Sequence, residues 1–427
     1  MSVSQISLDE LLNRRGDNDT TLLDIRPIEA YNGWSPRGEP RGGHIPGAIA
    51  FPMAWTDSHD WQELLQSKGI SQGTRLIIYG YNEAETDAMA ARLADSGYSD
   101  ISAFNRFIDW SADKKLPIDI LPRYERLVYP QWLNAVMAGE GAEHFEGGPV
   151  VVCHASFNNR LDYEDGHIPG AVFVDTLMLE APETWNRRSP EELNRAMTDL
   201  GIRHDTTVIV YGRDTTADPE DPFPGRYAGR LAAMRTAQIM LYAGVEDVRI
   251  LNGGLGAWEA AGYEITKEET TLHPVADFGV DIPAHPEFIV DTPEAKRLIS
   301  SDNGALVSVR SRNEWIGDVS GYNYIGKTGR IPGAIFGDCG SDAYHMENYR
   351  NPDHTMRSHH EVEAIWAKSG IVPSKHVAFY CGTGWRGSEA FFHAYMMAWP
   401  RISVYDGGWF EWSADPSNPI DVGEPVK

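Results

Sequence analysis

A cysteine, two glycines and an arginine lie within six residues of one another near the carboxyl end of the chain. The segment reads Cys381-Gly-Thr-Gly-Trp-Arg386 and follows a short apolar run, Val377-Ala-Phe-Tyr380, that is typical of a buried strand. A helix is predicted after it. In open parallel α/β sheets, ligands bind beyond the carboxyl ends of strands and near helix N-termini. The position therefore favours a reactive thiol over a packed one.

The surroundings of this thiol suit a thiolate nucleophile. Main-chain N–H groups of a tight glycine-rich turn can converge on an anion, and the following helix adds partial positive charge. Arg386 adds a permanent cation, and such surroundings lower the pKa of a cysteine from about 8.5 to between about 3.5 and 7.5. We expect Cys381 and Arg386 to be catalytic and Cys381 to be ionised at neutral pH. The expected binding loop is Gly382, Thr383, Gly384 and Trp385, with both glycines allowing close backbone approach and positive φ.

The same loop matches a dinucleotide-binding pattern. Gly382 to Gly387 spells G-x-G-x-x-G, and Asp406 lies about where a ribose-binding acid would stand. Too few residues follow the motif for the rest of such a unit. A tryptophan and an arginine inside the turn would also crowd a pyrophosphate, so this alternative is disfavoured.

One hexapeptide occurs three times and organises the chain. Each copy lies between a short apolar strand and a second strand, after which a helix and a last strand follow. Such alternation predicts an α/β fold of three tandem domains, each an open, mainly parallel sheet flanked by helices. The three copies are Gly43-His-Ile-Pro-Gly-Ala48, Gly166-His-Ile-Pro-Gly-Ala171 and Gly329-Arg-Ile-Pro-Gly-Ala334. The predicted domains are 1–122, 123–268 and 285–427.

Only the third repeat has a nucleophile at the end of its second strand. Gly80 and Gly212 stand at the equivalent positions of the first two repeats, so these domains are predicted to be inactive. The second repeat also carries an insertion, 214–226, that is rich in proline and acidic residues. We expect it to form a solvated surface loop.

Composition disfavours several classes of protein. With 37 Lys and Arg against 62 Asp and Glu, the net charge is −25, which disfavours nucleic acids and anionic membranes as partners. Three cysteines are too few for a disulfide framework. The first residues lack a secretory signal, and Ser7 with Glu10 predicts a helix capping box. We therefore expect a cytoplasmic protein, or a periplasmic one if the sequence is a mature form.

Taken together, these motifs resemble the rhodanese-like sulfurtransferases, in particular three-domain bacterial members. The resemblance covers essentially the whole chain and implies an active cysteine in the last domain and two inactive domains before it. Besides the repeated hexapeptide and the Cys381 loop (residues 381–386), it rests on Asp24-Ile-Arg26, Ser320-Gly-Tyr-Asn-Tyr-Ile325 and Asp406-Gly-Gly-Trp409.

The resemblance implies a double displacement without metal or organic cofactor. The Cys381 thiolate attacks the outer sulfur of a donor such as thiosulfate, sulfite leaves, and a persulfide remains. A thiol or cyanide then accepts the terminal sulfur. Cysteine phosphatases, a rival class, have five residues between cysteine and arginine, whereas four separate Cys381 from Arg386. This smaller ring suits a sulfur atom better than a phosphoryl group.

The sequence departs from the family pattern in three places. Ser308-Val-Arg310 replaces the usual Asp-x-Arg in the third repeat, and Val152-Cys-His154 loses both charges in the second. Arg386 also stands where 3-mercaptopyruvate sulfurtransferases have threonine, which favours an anionic inorganic donor. Further candidates for the pocket are Arg310, Tyr322, Tyr324 and Lys327.

Two other functions stay open at this point. The protein could be a 3-mercaptopyruvate sulfurtransferase, or a sulfur carrier and docking scaffold that exchanges sulfur with a partner protein. The two inactive domains motivate the second alternative, because domains that lose a nucleophile often serve binding. No metal site is expected, since the histidines between 345 and 360 lack the spacing of a helical ligand pair.

Overall fold

The chain folds into two compact units, Met1–Glu125 and Arg126–Lys427. The computed structural model describes residues 3–17, 19–215 and 224–425. One five-stranded sheet lies in the first unit and two lie in the second, which confirms the predicted α/β fold. No helix within the described residues is long and apolar enough to cross a membrane.

The first sheet has the strand order β1-β5-β4-β2-β3, and all of its pairings are parallel. The predicted capping box is present, because Ser7 and Glu10 exchange side-chain-to-backbone hydrogen bonds at the start of the first helix. The strands are β1 (Ser4–Gln5), β2 (Thr20–Asp24), β3 (Ile49–Ala50), β4 (Arg75–Tyr79) and β5 (Ile101–Phe104). The helices are α1 (Leu8–Arg14), α2 (Ile28–Asn32), α3 (Trp61–Ser67), α4 (Glu83–Asp95) and α5 (Phe107–Ala112).

The second sheet repeats this order as β6-β10-β9-β7-β8, again with parallel pairings. Every residue of β9 is buried, as expected for a central strand covered on both faces. The strands are β6 (Leu127–Val128), β7 (Val150–Ser156), β8 (Val172–Asp175), β9 (Thr207–Tyr211) and β10 (Asp247–Leu251). The helices are α6 (Pro130–Met137), α7 (Arg160–Glu164), α8 (Pro190–Asp199), α9 (Gly229–Ala243) and α10 (Gly254–Ala260).

The third sheet has the same order, β11-β15-β14-β12-β13. Its helix α14 packs against α9 of the second domain, and both helices are buried along their whole length. The strands are β11 (Ile289–Val290), β12 (Gly304–Ser308), β13 (Ile335–Phe336), β14 (His376–Tyr380) and β15 (Ile402–Tyr405). The helices are α11 (Thr292–Ile299), α12 (Arg312–Ile316), α13 (His359–Lys368), α14 (Trp385–Met396) and α15 (Gly408–Ala414).

The repeated hexapeptide has a structural role in each domain. His44 and His167 stack on the tyrosines of α2 and α7, with ring centroids 3.7 and 3.6 Å apart. In the third copy Arg330 replaces histidine, and its guanidinium lies over the Trp315 ring. Each of these residues also pairs with the last segment of its own domain through an isolated antiparallel bridge. The hexapeptide therefore ties the last segment of each domain to the rest of that domain.

Strand register corrects one sequence-based alignment. In the first sheet Asp24 lies opposite Tyr79, and in the second sheet His154 lies opposite Tyr211. The predicted match of Val152 with Asp24 is therefore wrong by two residues, because β7 continues further than its apolar run. The conclusion that the second repeat loses both charges is unchanged.

The predicted surface insertion, 214–226, lies largely outside the described residues. Its first residue, Asp214, is ion-paired with Arg230 at the start of α9, at 3.1 Å. That end of the insertion is therefore held against the domain.

Candidate active site

The Cys381 loop joins β14 directly to α14. Cys381 is 1% exposed, and Gly384 caps the helix with a φ of +89°, as the sequence predicts. Gly382 is needed for a different reason, because a Cβ at this position would lie 2.3 Å from the Tyr322 ring. Gly384 therefore provides the predicted positive φ, and Gly382 provides the predicted close approach of the backbone to its neighbours.

Tyr322 organises the hydrogen bonds of the loop. Its hydroxyl oxygen accepts from the Gly382 amide at 3.1 Å and from Arg386 Nη2 at 2.7 Å. The Gly382 amide is therefore engaged by a side chain and is not available to the sulfur. Burial raises the pKa of Tyr322 well above its usual value, so the hydroxyl stays protonated at neutral pH.

Arg386 does not act as a free cation. Its guanidinium donates two hydrogen bonds of 2.9 Å to the carboxylate of Glu314, and both side chains are fully buried. Arg310 donates to the same carboxylate at 3.1 Å. Burial alone would raise the pKa of Glu314, but the two arginines lower it to about 2. Glu314 is not among the site residues predicted from the sequence, although Ser311-x-x-Glu314 is a recognisable capping-box pattern that the structure forms.

A cavity lies over the sulfur and is walled by aromatic rings from two domains. The space between its lining atoms measures about 460 Å³, and part of this space is open solvent. Phe157 packs edge-on against Trp385 with a ring-centroid distance of 5.5 Å, and Trp185 lies 5.4 Å from Tyr324. The aromatic residues of the wall are Phe157 and Trp185 of the second domain and Tyr322, Tyr324, Tyr344 and Trp385 of the third.

The four further pocket candidates separate into two groups. Tyr322 and Tyr324 line the cavity together with Thr383 of the loop. Arg310 is buried behind the cavity, where it also donates to the carbonyls of residues 329 and 320. Lys327 is exposed and is not among the described residues that line the cavity, and its carbonyl oxygen accepts from the Trp409 indole at 3.0 Å.

Trp385 is held by an acid that is not among the site residues predicted from the sequence. Its indole Nε1 donates to the two carboxylate oxygens of Glu180 at 2.8 and 3.1 Å. Glu180 belongs to the second domain and also accepts from Arg235 at 3.0 Å. Burial raises the pKa of Glu180 to about 7, and the pairing with Arg235 opposes this rise.

The glycine turn, Asp406–Trp409, supports the loop from the other side. The Trp409 amide donates to the Cys381 carbonyl at 2.9 Å, and the Phe410 amide donates to the Gly382 carbonyl at 3.0 Å. Asp406 is buried and paired with Arg235, so it does not face a nucleotide site. The dinucleotide alternative therefore loses its ribose-binding acid.

The other two thiols, Cys153 and Cys339, are buried and are not among the described residues that line the cavity. Burial raises the pKa of both well above the usual range of a cysteine. A neutral buried thiol is a poor nucleophile. Of the three cysteines, all within the described residues, Cys381 is the one that lines the cavity.

Family comparison agrees with this arrangement. The model of the rhodanese-like domain matches residues 7–110, 139–261 and 291–415. The chain belongs to the rhodanese-like family. This rhodanese-like protein is 40% identical to thiosulfate sulfurtransferase YnjE of Escherichia coli K12 over 98% of the chain and 92% of that relative. It is also 31% identical to the sulfur carrier protein TtuD of Thermus thermophilus, over 70% of the chain and 98% of TtuD. The rhodanese-like protein is thus a sulfurtransferase by family.

Solved structures of EanB are similar over nearly the whole molecule. Wild-type EanB has 52% sequence identity and a TM-score of 0.98, with 99% of this chain and 98% of EanB covered. Other EanB structures hold hercynine or ergothioneine, and one holds a cysteine persulfide with ergothioneine in a tetrahedral intermediate state. Sulfurtransferases of this family work through such a covalent persulfide and use no cofactor.

Proposed function

We propose that Cys381 carries a persulfide and transfers its terminal sulfur to the imidazole ring of hercynine or a closely related betaine. The aromatic cavity around the sulfur is the observation that carries this proposal. Hercynine is the trimethylammonium betaine of histidine, and ergothioneine is the same molecule with sulfur on the ring carbon between the two nitrogens.

The chemistry of the cavity wall favours such an acceptor over a small inorganic anion. Aromatic faces bind quaternary ammonium groups through cation–π attraction, and they stack on flat rings. Among the described residues that line the cavity, the cation is Arg386, and Glu314 compensates its charge. An anion such as thiosulfate would therefore find less attraction here than the sequence alone suggested.

Residue spacing in EanB supports the same assignment. Its structures include variants of a tyrosine and of a threonine that lie fifty-nine residues before and two residues after the persulfide cysteine. Tyr322 and Thr383 stand at the same separations from Cys381. Because both side chains line the cavity here, we assign them to acceptor binding.

Hydrogen-bond directions give Tyr322 a more specific role. A tyrosine hydroxyl has one donor and two acceptor positions. Both acceptor positions are filled, by the Gly382 amide and by Arg386, so the O–H bond is left to donate into the cavity. We assign this proton to the acceptor ring or to the sulfur that it approaches. The neighbouring guanidinium strengthens the donor because it polarises the hydroxyl.

The transfer balances without an external oxidant. The terminal sulfur bonds to the ring carbon, this carbon loses its hydrogen as a proton, and the S–S bond breaks to return the Cys381 thiolate. The carbon is oxidised and the sulfane sulfur is reduced. The loop needs only to hold the sulfur close to the ring carbon and to supply or accept protons.

Thiosulfate sulfur transfer to cyanide or a thiol is the second candidate. The name of the YnjE relative favours it. Thiosulfate also fits the first proposal as a donor, since loading of Cys381 and discharge to hercynine are separate half-reactions. A protein sulfur partner receives less support, because Cys381 is 1% exposed and lies at a cavity. A 3-mercaptopyruvate donor receives less support because its carboxylate, like thiosulfate, would meet an arginine whose charge Glu314 compensates.

Single-turnover discharge separates these candidates. The protein is first loaded with a chemical persulfide reagent, which removes the choice of donor from the test. Hercynine, cyanide and a small thiol are then added separately, and the products are followed by mass spectrometry. We expect hercynine to discharge the persulfide fastest and to yield ergothioneine, with no product from the Cys381→Ser variant.

A different pattern of products would contradict the hercynine proposal. Rapid formation of thiocyanate from cyanide, with no ergothioneine from hercynine, would replace the first candidate with the second. Loading the protein with thiosulfate or 3-mercaptopyruvate, read as addition of one sulfur atom to Cys381, then identifies the donor. Phosphate-ester hydrolysis that is lost in Cys381→Ser would instead indicate the phosphatase class.

A further inference from the structure

One buried arginine of the second domain reaches both sides of the Cys381 loop. Arg235 lies in the middle of α9 and is 0% exposed. Its Nε donates to Glu180 at 3.0 Å, and its Nη2 donates to Asp406 at 2.5 Å. Glu180 belongs to the second domain and Asp406 to the third, so this side chain bridges the two.

The first contact leads to the helix end of the loop. Glu180 accepts from Arg235 on one side and from the Trp385 indole on the other, through carboxylate oxygens that are fully buried. Arg235 also lies directly beside the main chain of the loop, since a Cβ on Gly384 would be 3.0 Å from Arg235 Nη1. The glycine and the tryptophan therefore both depend on where this arginine stands.

The second contact leads to the strand end of the loop. Asp406 begins the glycine turn, whose next residues donate main-chain hydrogen bonds to the carbonyls of Cys381 and Gly382. The approach is close enough that a Cβ on Gly408 would lie 2.6 Å from the Gly382 carbonyl oxygen. A displacement of Asp406 would therefore move the residue that carries the sulfur.

We infer that Arg235 is a positioning residue for the sulfur-transfer loop, acting through Glu180 on Trp385 and through Asp406 on the carbonyls of Cys381 and Gly382. The second domain, which has no nucleophile of its own, thus sets the geometry of the third domain's loop. This inference rests on the proposed persulfide at Cys381, but it does not depend on the acceptor.

Losing Arg235 should disturb Glu180 more than Asp406, because the two acids differ in their other charged partners. Asp406 has a second cation, because Arg187 donates to it at 2.9 Å from both its amide and its Nη1. Glu180 has no such second cation among the contacts described for it. Loss of Arg235 therefore affects the Glu180 and Trp385 contact most, and Glu180→Gln tests this contact with the arginine still in place.

The test compares four variants of the full-length protein. Arg235→Lys keeps the positive charge, but a single ammonium group cannot replace the guanidinium nitrogens that donate to Glu180 and Asp406 at the same time. Glu180→Gln and Trp385→Phe remove one partner each. Arg249→Gln is the control, because Arg249 is also a buried arginine of the second domain and pairs with Asp247 at 2.9 Å, away from the loop.

Three rates are measured for each variant: alkylation of Cys381 by iodoacetamide, persulfide discharge to cyanide and persulfide discharge to hercynine. We expect Glu180→Gln and Arg235→Lys to slow all three by about tenfold or more, since small misplacements of reacting groups are costly in rate. The acceptor KM should change less than the rate constant. Combining Glu180→Gln with Trp385→Phe should slow the rates no further than either change alone.

Arg249→Gln should lower the melting temperature while its rates stay within about twofold of wild type, as expected for a distant and independent site. The inference is overturned if folded Glu180→Gln keeps all three rates within twofold, or if Arg249→Gln slows them equally. If Arg235→Lys does not fold, the rates of Glu180→Gln and Trp385→Phe decide whether the inference holds. Inertness of wild type towards hercynine would contradict the proposed acceptor only, because the iodoacetamide and cyanide rates still report on the loop.

Discussion

The loops that follow β9 and β14 occupy equivalent places in two copies of one fold. In both, the residue after the strand is approached by a glycine-rich turn from the last strand. The Leu255 amide donates to the Gly212 carbonyl at 3.1 Å, and the Trp409 amide donates to the Cys381 carbonyl at 2.9 Å. The support of the loop is therefore common to the second and third domains.

The two domains differ in the space available at the first residue of this loop, which is Gly212 in the second domain and Cys381 in the third. In the third domain α14 begins at Trp385, soon after Cys381, whereas α9 begins at Gly229, well beyond the insertion that follows Gly212. A Cβ at Gly212 would lie 2.0 Å from the Gly229 carbonyl oxygen. The second domain thus lacks both a nucleophile and the room for one.

The charges around the two supporting turns also differ. Asp406 of the third domain is held by two arginines of the second. At the equivalent position of the second domain stands Asn252, which accepts from the Met356 amide of the third at 2.8 Å. The comparison teaches that the second domain shares the fold of the third without its nucleophile, and that it supplies part of the cavity wall and a support for its neighbour's loop.

The largest expected effect comes from removing the nucleophile. Cys381→Ser should lower sulfur transfer by more than about 10³-fold, as is common when a covalent nucleophile is lost. Cys153→Ala, at the buried thiol of the second domain, should leave transfer within about twofold of wild type. Steady-state and single-turnover assays measure both.

A cysteine placed in the second domain sharpens the same comparison. Gly212→Cys in the Cys381→Ser background should restore no transfer and should lower the melting temperature, because the new Cβ meets main-chain atoms of Gly229. Recovered activity in this double variant would show that the two loops are interchangeable.

Breaking the buried ion pair of the third domain should have the next largest effect. Glu314→Gln leaves Arg310 and Arg386 without their shared anion, and we expect a loss of about 3–5 kcal/mol in the free energy of unfolding. Because the pKa of Glu314 is lowered to about 2, its stabilisation is present above about pH 4.5 and disappears as the pH falls towards 2.

Acid unfolding followed by circular dichroism measures this difference. The variant should lack the part of the pH dependence that Glu314 contributes. Glu294→Gln is the control, since its pair with Arg297 lies on the surface and should contribute less than about 1 kcal/mol. Equal loss of stability in the two variants would contradict the assignment.

Tyr322→Phe is expected to reduce the rate of discharge to hercynine by about 10²-fold, in the range for loss of a general acid or base. It removes the hydroxyl that binds the Gly382 amide and Arg386. Tyr344→Phe, at a second tyrosine of the same wall, should cost less than about threefold in rate. Similar losses in both variants would remove the special role assigned to Tyr322.

The smallest effect is expected at the wall that the second domain supplies. Trp185→Leu should raise the KM for hercynine by about tenfold, which is the size of one cation–π or stacking contact. Discharge to cyanide should be unchanged, since cyanide has neither a ring nor a cation. A KM for hercynine equal to wild type would show that the second domain does not take part in acceptor binding.

Local patterns revealed much of this fold and part of this site. The repeated hexapeptide, the alternation of strands and helices, and the glycines beside Cys381 could be read from neighbouring residues. Glu180 and Arg235 could not, because they act on the loop from more than a hundred residues away in another domain. Arg386 was recognised but its partner Glu314 was not, and so its charge was expected to be free.

Mass spectrometry of the sulfur-loaded protein before and after addition of hercynine tests the central claim most directly. We predict one added sulfur on the peptide that contains Cys381, its loss when hercynine is added, and an equal amount of ergothioneine. Sulfur on the peptides of Cys153 or Cys339, or a Cys381 persulfide that hercynine leaves intact, would contradict it.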